Sequence, residues 1–185
     1  MAAVLMPLDP LLVAAAIGLT VLVFARAVLH KASDFETFRQ QVEDYRLLPA
    51  ALSGPVAVLL GLAEVAVIAA LLWPAARIVG GVGAMAVLLA YAGAMALNLA
   101  RGRTTIDCGC GGPGQAISWT LVVRNLVLAA VAGLVLLPAA TRPLGILDMI
   151  ALPVMVLTTW LVLVVIEQLA RTFAHIRTLR ENGFD

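Results

Sequence analysis

The chain has 185 residues, of which 63% are hydrophobic and 12% charged, and its mean hydropathy is +1.05. Soluble domains carry roughly 45–50% apolar residues, so a water-soluble globule is excluded. A net charge of +1 and 5% aromatic residues leave neither the basic field nor the stacking surface that a nucleic-acid partner needs.

A bilayer core about 30 Å thick is crossed by about 20 apolar residues in a helix. Five such runs follow one another: 11–29, 52–73, 78–99, 117–137 and 147–166. The fold class expected is all-α, a polytopic membrane bundle filling 1–185 as one integral membrane domain whose principal partner is the lipid bilayer. The first run opens on Asp9-Pro10 without a positive leader and reads as a retained helix.

Between the first two runs, Phe35, Phe38, Val42 and Tyr45 recur at helical spacing among charges, which predicts an amphipathic interfacial helix over about 33–48. Ser33 with Glu36 three residues on has the form of a capping box, and Pro49 ends the segment. The tail from Ala170 to Asp185, with Phe173, Ile176 and Leu179 among arginines, reads as a second interfacial stretch. In the third run, Gly80 with Ala84 and Ala90 with Ala94 offer small residues for close helix approach. Asp148 stands where it can cap the fifth run, with Pro153 placed in its first turn.

Counting Lys and Arg gives nine on one side (Arg26, Lys31, Arg39, Arg46, Arg101, Arg103, Arg171, Arg177, Arg180) against two on the other (Arg77, Arg142). The positive-inside rule then predicts a cell-membrane protein with its N-terminus outside and its C-terminus cytoplasmic. On that count the loop over 101–116 is cytoplasmic.

This loop carries both cysteines of the chain, in the order Asp107-Cys108-Gly109-Cys110-Gly111, with Arg101 and Arg103 upstream. One residue between two cysteines permits a disulfide only if the backbone bends tightly, which glycines allow. A ring that small is strained and therefore of the labile, oxidising kind. Arg101, Arg103 and the start of the fourth helix favour a thiolate, and Asp107 opposes it. Thiol–disulfide exchange through Cys108 and Cys110 is the leading reading. Two others stand beside it: a metal site completed by His30 and His175, whose spacing matches no zinc pattern, and a tight turn with no chemistry. No cofactor is called for, and neither a quinone nor a metal is supported by the residues.

Glu64 lies near the middle of the second run, where an unpaired carboxylate costs several kcal/mol. Arg124 and Asn125 lie in the fourth run at a depth about 8 Å different, a gap an Arg and a Glu can close together. With Arg26, Asn98 and Glu167 near the same face, these groups read as either a structural ion pair or a polar cavity serving the thiols.

In sequence order, Lys31, Phe38, the Tyr45 to Pro49 segment, Glu64, Arg101-Gly102, Asp107 to Gly111, Trp119 and Arg124-Asn125 resemble MauE, the methylamine utilisation membrane protein, in the wider DoxX-like group. The likeness runs from about residue 20 to 135, and the cysteine element and the Arg-Asn pair are its specific parts. Gly111 stands where the family pattern has a Phe, so no aromatic beside the thiols is carried over. The resemblance implies a four-helix core plus a fifth C-terminal transmembrane helix. It also implies a role for Cys108 and Cys110 in disulfide formation or maturation of an amine dehydrogenase subunit, together with a thioredoxin-like protein. Maturation of an exported subunit calls for thiols outside the cell, whereas the charge count puts them inside; either the cysteines are recessed in the bundle and pass electrons across it, or the orientation is reversed. The other class of function is a non-catalytic scaffold or anchoring subunit that docks an enzyme complex through Phe35, Phe38 and Tyr45. A transporter is weaker, because no pair of matching broken helices marks a midplane site.

Overall fold

The computed structural model describes residues 7–104, 106–108 and 116–182, with backbone alone for 170, 171 and 173–182. Six helices make an all-α membrane bundle: α1 (Pro10–Ser33), α2 (Phe35–Asp44), α3 (Ser53–Leu72), α4 (Arg77–Ala100), α5 (Trp119–Gly133) and α6 (Ile146–Asn182). Helices α1, α3, α4 and α6, and α5 together with the 3₁₀ turn that continues it to Leu136, are long and apolar enough to cross a bilayer.

Local chemistry sets the ends. Asp9 caps α1 by accepting from the Leu11 N–H at 2.8 Å, with Pro10 at the first helical position. The cap of α2 is Asp34, which accepts from the Thr37 N–H at 3.0 Å, and not the Ser33–Glu36 box expected; Ser33 Oγ donates back to the His30 carbonyl instead. Asp148 Oδ2 accepts from the Gly145 N–H at 2.8 Å and so caps α6 from inside its first turn. Because α6 begins at Ile146, Pro153 lies two turns in and not in the first turn. The tail does not break away as a separate interfacial stretch, since α6 runs unbroken to Asn182. Its 37 residues reach about 55 Å, well beyond the hydrocarbon.

Helices α1, α3, α4 and α5 form the core. Ala16, Phe24, Val67, Leu71, Ala84, Leu88, Leu128 and Ala132 are buried together at its centre. Gly80 makes the α3–α4 contact possible, because a Cβ there would stand 2.6 Å from the Leu71 backbone nitrogen. Ala84 is buried in the same seam, whereas Ala90 is exposed and Ala94 only half-buried. Those two sit on a face of α4 turned toward a pocket, so half of the expected small-residue contact is not a helix interface. Helix α6 packs against α1, where Gly18 accommodates Val156, and leaves most of its surface to lipid.

The two ends of the bundle are built differently. At one, Leu8 bridges Ala139 by backbone hydrogen bonds, and Arg142 donates to both Asp9 and Asp148, joining α1 to the α5–α6 linker and to α6. The Arg142 guanidinium holds the Asp9 carboxyl below its ordinary value, helped by the Leu11 N–H. At the other end, α2 lies over the start of α3 and against the end of α1, with the cysteine loop beside it.

Candidate functional site

The cysteine loop is launched by the way α4 ends. Gly102 adopts a left-handed conformation (φ +73°), its N–H bonding the Leu99 carbonyl and the Arg103 N–H the Asn98 carbonyl, both at 3.0 Å. This double closure terminates a helix and needs glycine at the left-handed position. It also turns Arg103 back over the bundle. Its guanidinium donates to Asn98 Oδ1 at 2.8 Å, to the Tyr45 carbonyl at 3.2 Å and to the Asp44 carbonyl at 2.7 Å. Arg103 thereby ties the loop to the C-terminus of α2, where cationic donors satisfy carbonyls that the helix itself leaves open. Arg101 is exposed.

Past Arg103 the chain folds into a narrow neck. The Ile117 N–H donates to the Ile106 carbonyl at 2.8 Å, and Asp107 bridges Ala116. Cys108 sits just inside this neck and is 6% exposed, packed with Met95, Ile106, Ile117, Leu121 and Val122. Its Sγ lies 3.8 Å from Met95 Sδ, and Tyr45 Oη donates to its carbonyl at 3.4 Å. Cys110 lies outside the described residues, with the rest of 109–115.

The intramembrane polar groups assemble into two clusters. In the first, Glu64 is fully buried and Lys31 is 3% exposed. Lys31 Nζ and Tyr91 Oη both donate to Glu64 Oε1, the latter at 2.7 Å, and Lys31 Nζ also donates to Tyr91 Oη at 2.9 Å. The Lys31 ammonium lies 4.7 Å from the Phe38 ring centre and 4.9 Å from that of Tyr91, so aromatic faces replace part of its lost hydration. In the second cluster, Glu167 of α6 accepts from Arg124 of α5 and from Arg26 of α1, the latter at 3.2 Å. The expected pairing of Glu64 with Arg124 does not form, because the rotation of each helix about its axis turns Glu64 to Lys31 and Arg124 to Glu167. Both nevertheless face one cavity, along with Asn125, Trp160 and Glu167. Asn125 is buried and donates to the Leu121 carbonyl at 2.9 Å.

Tyr91 borders this cavity on one side and, on the other, a second pocket that reaches Cys108. Gln41, Phe38 and Tyr45 close that second pocket from α2. Neither Lys31 as a buried partner nor Gln41 as a buried amide is legible from charge counting, although Phe38, Gln41 and Tyr45 share one helical spacing. Among the described residues, no group of three or more His, Cys, Asp or Glu side chains is arranged to hold a metal ion; the His175 side chain and Cys110 lie outside them.

The chain matches the family model described as methylamine utilisation protein MauE over residues 8–138, which takes in the four core helices, α2 and the cysteine loop and stops short of α6. Among curated proteins it is 44% identical over 113 residues to a methylamine utilization protein MauE of Paracoccus denitrificans, covering 60% of this chain and 61% of that protein's length. It is 44% identical over 130 residues to the Paracoccus versutus protein of the same name, covering 68% and 69%. With the one from Methylorubrum extorquens it shares 37% over 124 residues, covering 65% and 67%. No solved structure matches the chain.

Proposed function

The chain belongs to the MauE family, and on that footing we propose that it is a membrane thiol–disulfide redox protein of methylamine utilisation, with Cys108 and Cys110 as the reacting pair. The observation that carries this reading is the placement of Cys108. The sulfur is recessed under a helix and at the mouth of a pocket, on a loop pinned by Arg103 and the Ile106–Ile117 neck. A cysteine serving only a turn has no need of so deliberate a frame.

The step is exchange through a mixed disulfide. A thiolate of a thioredoxin-like partner attacks one sulfur of the Cys108–Cys110 disulfide and the other sulfur leaves as thiolate. The partner's second thiol then resolves the mixed bond, so that the partner is oxidised and the CxC pair reduced by two electrons. Burial of Cys108 gives the partner-facing role to Cys110 and the inner role to Cys108. Arg101, with the N-terminal end of α5, favours the leaving thiolate, and Asp107 sets the opposing charge. Arg103 acts by holding the loop. Glu64, Arg124 and Asn125 line the polar interior on the far side of Tyr91.

The charge distribution supports a cytoplasmic CxC face, with the N-terminus outside. Labelling Cys110 with a membrane-impermeant maleimide only after lysis agrees with that orientation; labelling in intact cells reverses it. The redox reading is tested by trapping. Offered to a thioredoxin-like partner whose second cysteine is replaced by serine, the oxidised CxC pair forms a mixed disulfide that the partner cannot resolve, so a covalent adduct accumulates and disappears on reduction. Cys110→Ser gives none. A double Cys→Ser variant that supports methylamine growth as well as the parent overturns the proposal.

A further inference from the structure

The pocket beside Cys108 contains a polar group that thiol exchange with a protein does not employ. Gln41 is 5% exposed on the inner face of α2, and its Nε2 has no hydrogen-bond partner among the described residues. An unsatisfied buried amide is costly, and a donor kept at that cost is matched to an acceptor that arrives from elsewhere. The pocket it borders also touches Cys108, Tyr45, Tyr91 and Phe38.

The walls define the chemistry of the occupant. Among the described residues that line it none is charged, so a phosphate or carboxylate finds no counter-charge from them. Three aromatic rings and an amide face a ligand that is neutral, flat and carries a carbonyl. The pocket lies against the first turns of α3, through Val56 and Leu60, and against the last turns of α4, through Ala90 and Ala94. All four are within the apolar spans, so the ligand enters from the hydrocarbon. Leu48, which also borders the pocket, is exposed at its outer edge.

We propose that this pocket binds the ring of an isoprenoid quinone, with the Gln41 amide donating to one quinone carbonyl and Cys108 at the edge of the ring. Its part as electron acceptor rests on the redox reading above. The balance is complete: Cys108 and Cys110 lose two thiol protons and two electrons and form one S–S bond, and the quinone takes up both electrons and both protons as its two carbonyls become hydroxyls. The amide suits both states, since its N–H donates to the quinone and its oxygen accepts from the quinol. The lipid phase thus regenerates the disulfide that the protein partner consumes.

The test uses the full chain in quinone-free lipid nanodiscs with decylubiquinone as the probe, measuring equilibrium binding and, separately, closure of the reduced pair by mass spectrometry. Saturable binding above that of empty nanodiscs is expected, weakened tenfold or more by Gln41→Leu. Ala94→Phe, which fills the pocket from α4 without touching α2, is expected to weaken it similarly. Closure of the pair by diamide should be unchanged in both variants, while closure by the quinone slows at least tenfold. Binding no better than partition into lipid, equal binding by both variants and the parent, or a tightly held phospholipid that the quinone fails to displace each overturn the assignment. If diamide itself fails to close the pair, the redox reading falls, and the binding arm alone still decides the pocket.

Discussion

Lys31, at the end of α1, and Glu64, in the middle of α3, form an ion pair inside the bundle with both side chains almost wholly removed from solvent. Tyr91 joins them from α4, so one carboxylate ties three core helices to a common register. Removing one member of such a pair leaves the other charge buried and uncompensated, which costs about 3–5 kcal/mol, whereas replacing both is far milder. Glu64→Gln should therefore lower the yield of folded protein and its unfolding midpoint in detergent. Lys31→Met combined with Glu64→Gln should recover most of the loss. A double variant as unstable as the single one would show that the ion pair is not what the fold depends on.

The α3–α4 seam gives a cleaner packing test. A methyl at position 80 would meet backbone atoms of Ala70 and Leu71 at under 3 Å, while one at Gly93 meets nothing within 4 Å. Overpacking of this kind costs about 1–3 kcal/mol. Gly80→Ala should depress the unfolding midpoint clearly and Gly93→Ala should leave it near the parent or slightly higher. Equal effects at the two positions would contradict the close approach.

The Asp9–Arg142–Asp148 junction predicts a pH dependence. Arg142, and then the Leu11 N–H, hold the Asp9 carboxyl below its ordinary value of 3.8. A carboxyl depressed on folding stabilises the fold above its unfolded value and loses that contribution as pH falls through the folded one. The unfolding midpoint of Asp9→Asn should therefore lie below that of the parent at neutral pH, with the difference closing only below about pH 3.8. A difference that closes between pH 5 and 7 would mean that some other group carries the effect. The pair is solvent-exposed, so the shift at neutral pH is expected to be small and to shrink with added salt.

The bundle was legible because span length is a physical requirement of the bilayer, and five runs of apolar residues satisfy it without reference to partners. The cysteine loop was legible for a different reason: two thiols among glycines stand out in a chain otherwise free of cysteine. The partners of the charged residues were not. Lys31 counts as a loop cation when charges are summed by side, and only the fold of α2 back over α1 encloses it beneath Phe38. Likewise Arg124 and Glu64 have compatible depths, but depth says nothing of rotation about each helix axis, and rotation gives Arg124 to Glu167. Gln41 was overlooked between two hydrophobic positions, although it shares the inner face of α2 with Phe38 and Tyr45. A polar residue on the apolar stripe of an interfacial helix is the signal that would have singled it out.

Opening and closing of a bond between the two sulfurs of the CxC loop is the event on which the proposed function depends. Intact-mass spectrometry of the purified protein across a redox titration tests this directly. The prediction is one reversible change of two hydrogen masses, present in the parent, absent in Cys108→Ser and in Cys110→Ser, and indifferent to chelators. A mass that stays constant from strong reductant to strong oxidant, or thiols held by a retained metal ion, would contradict it.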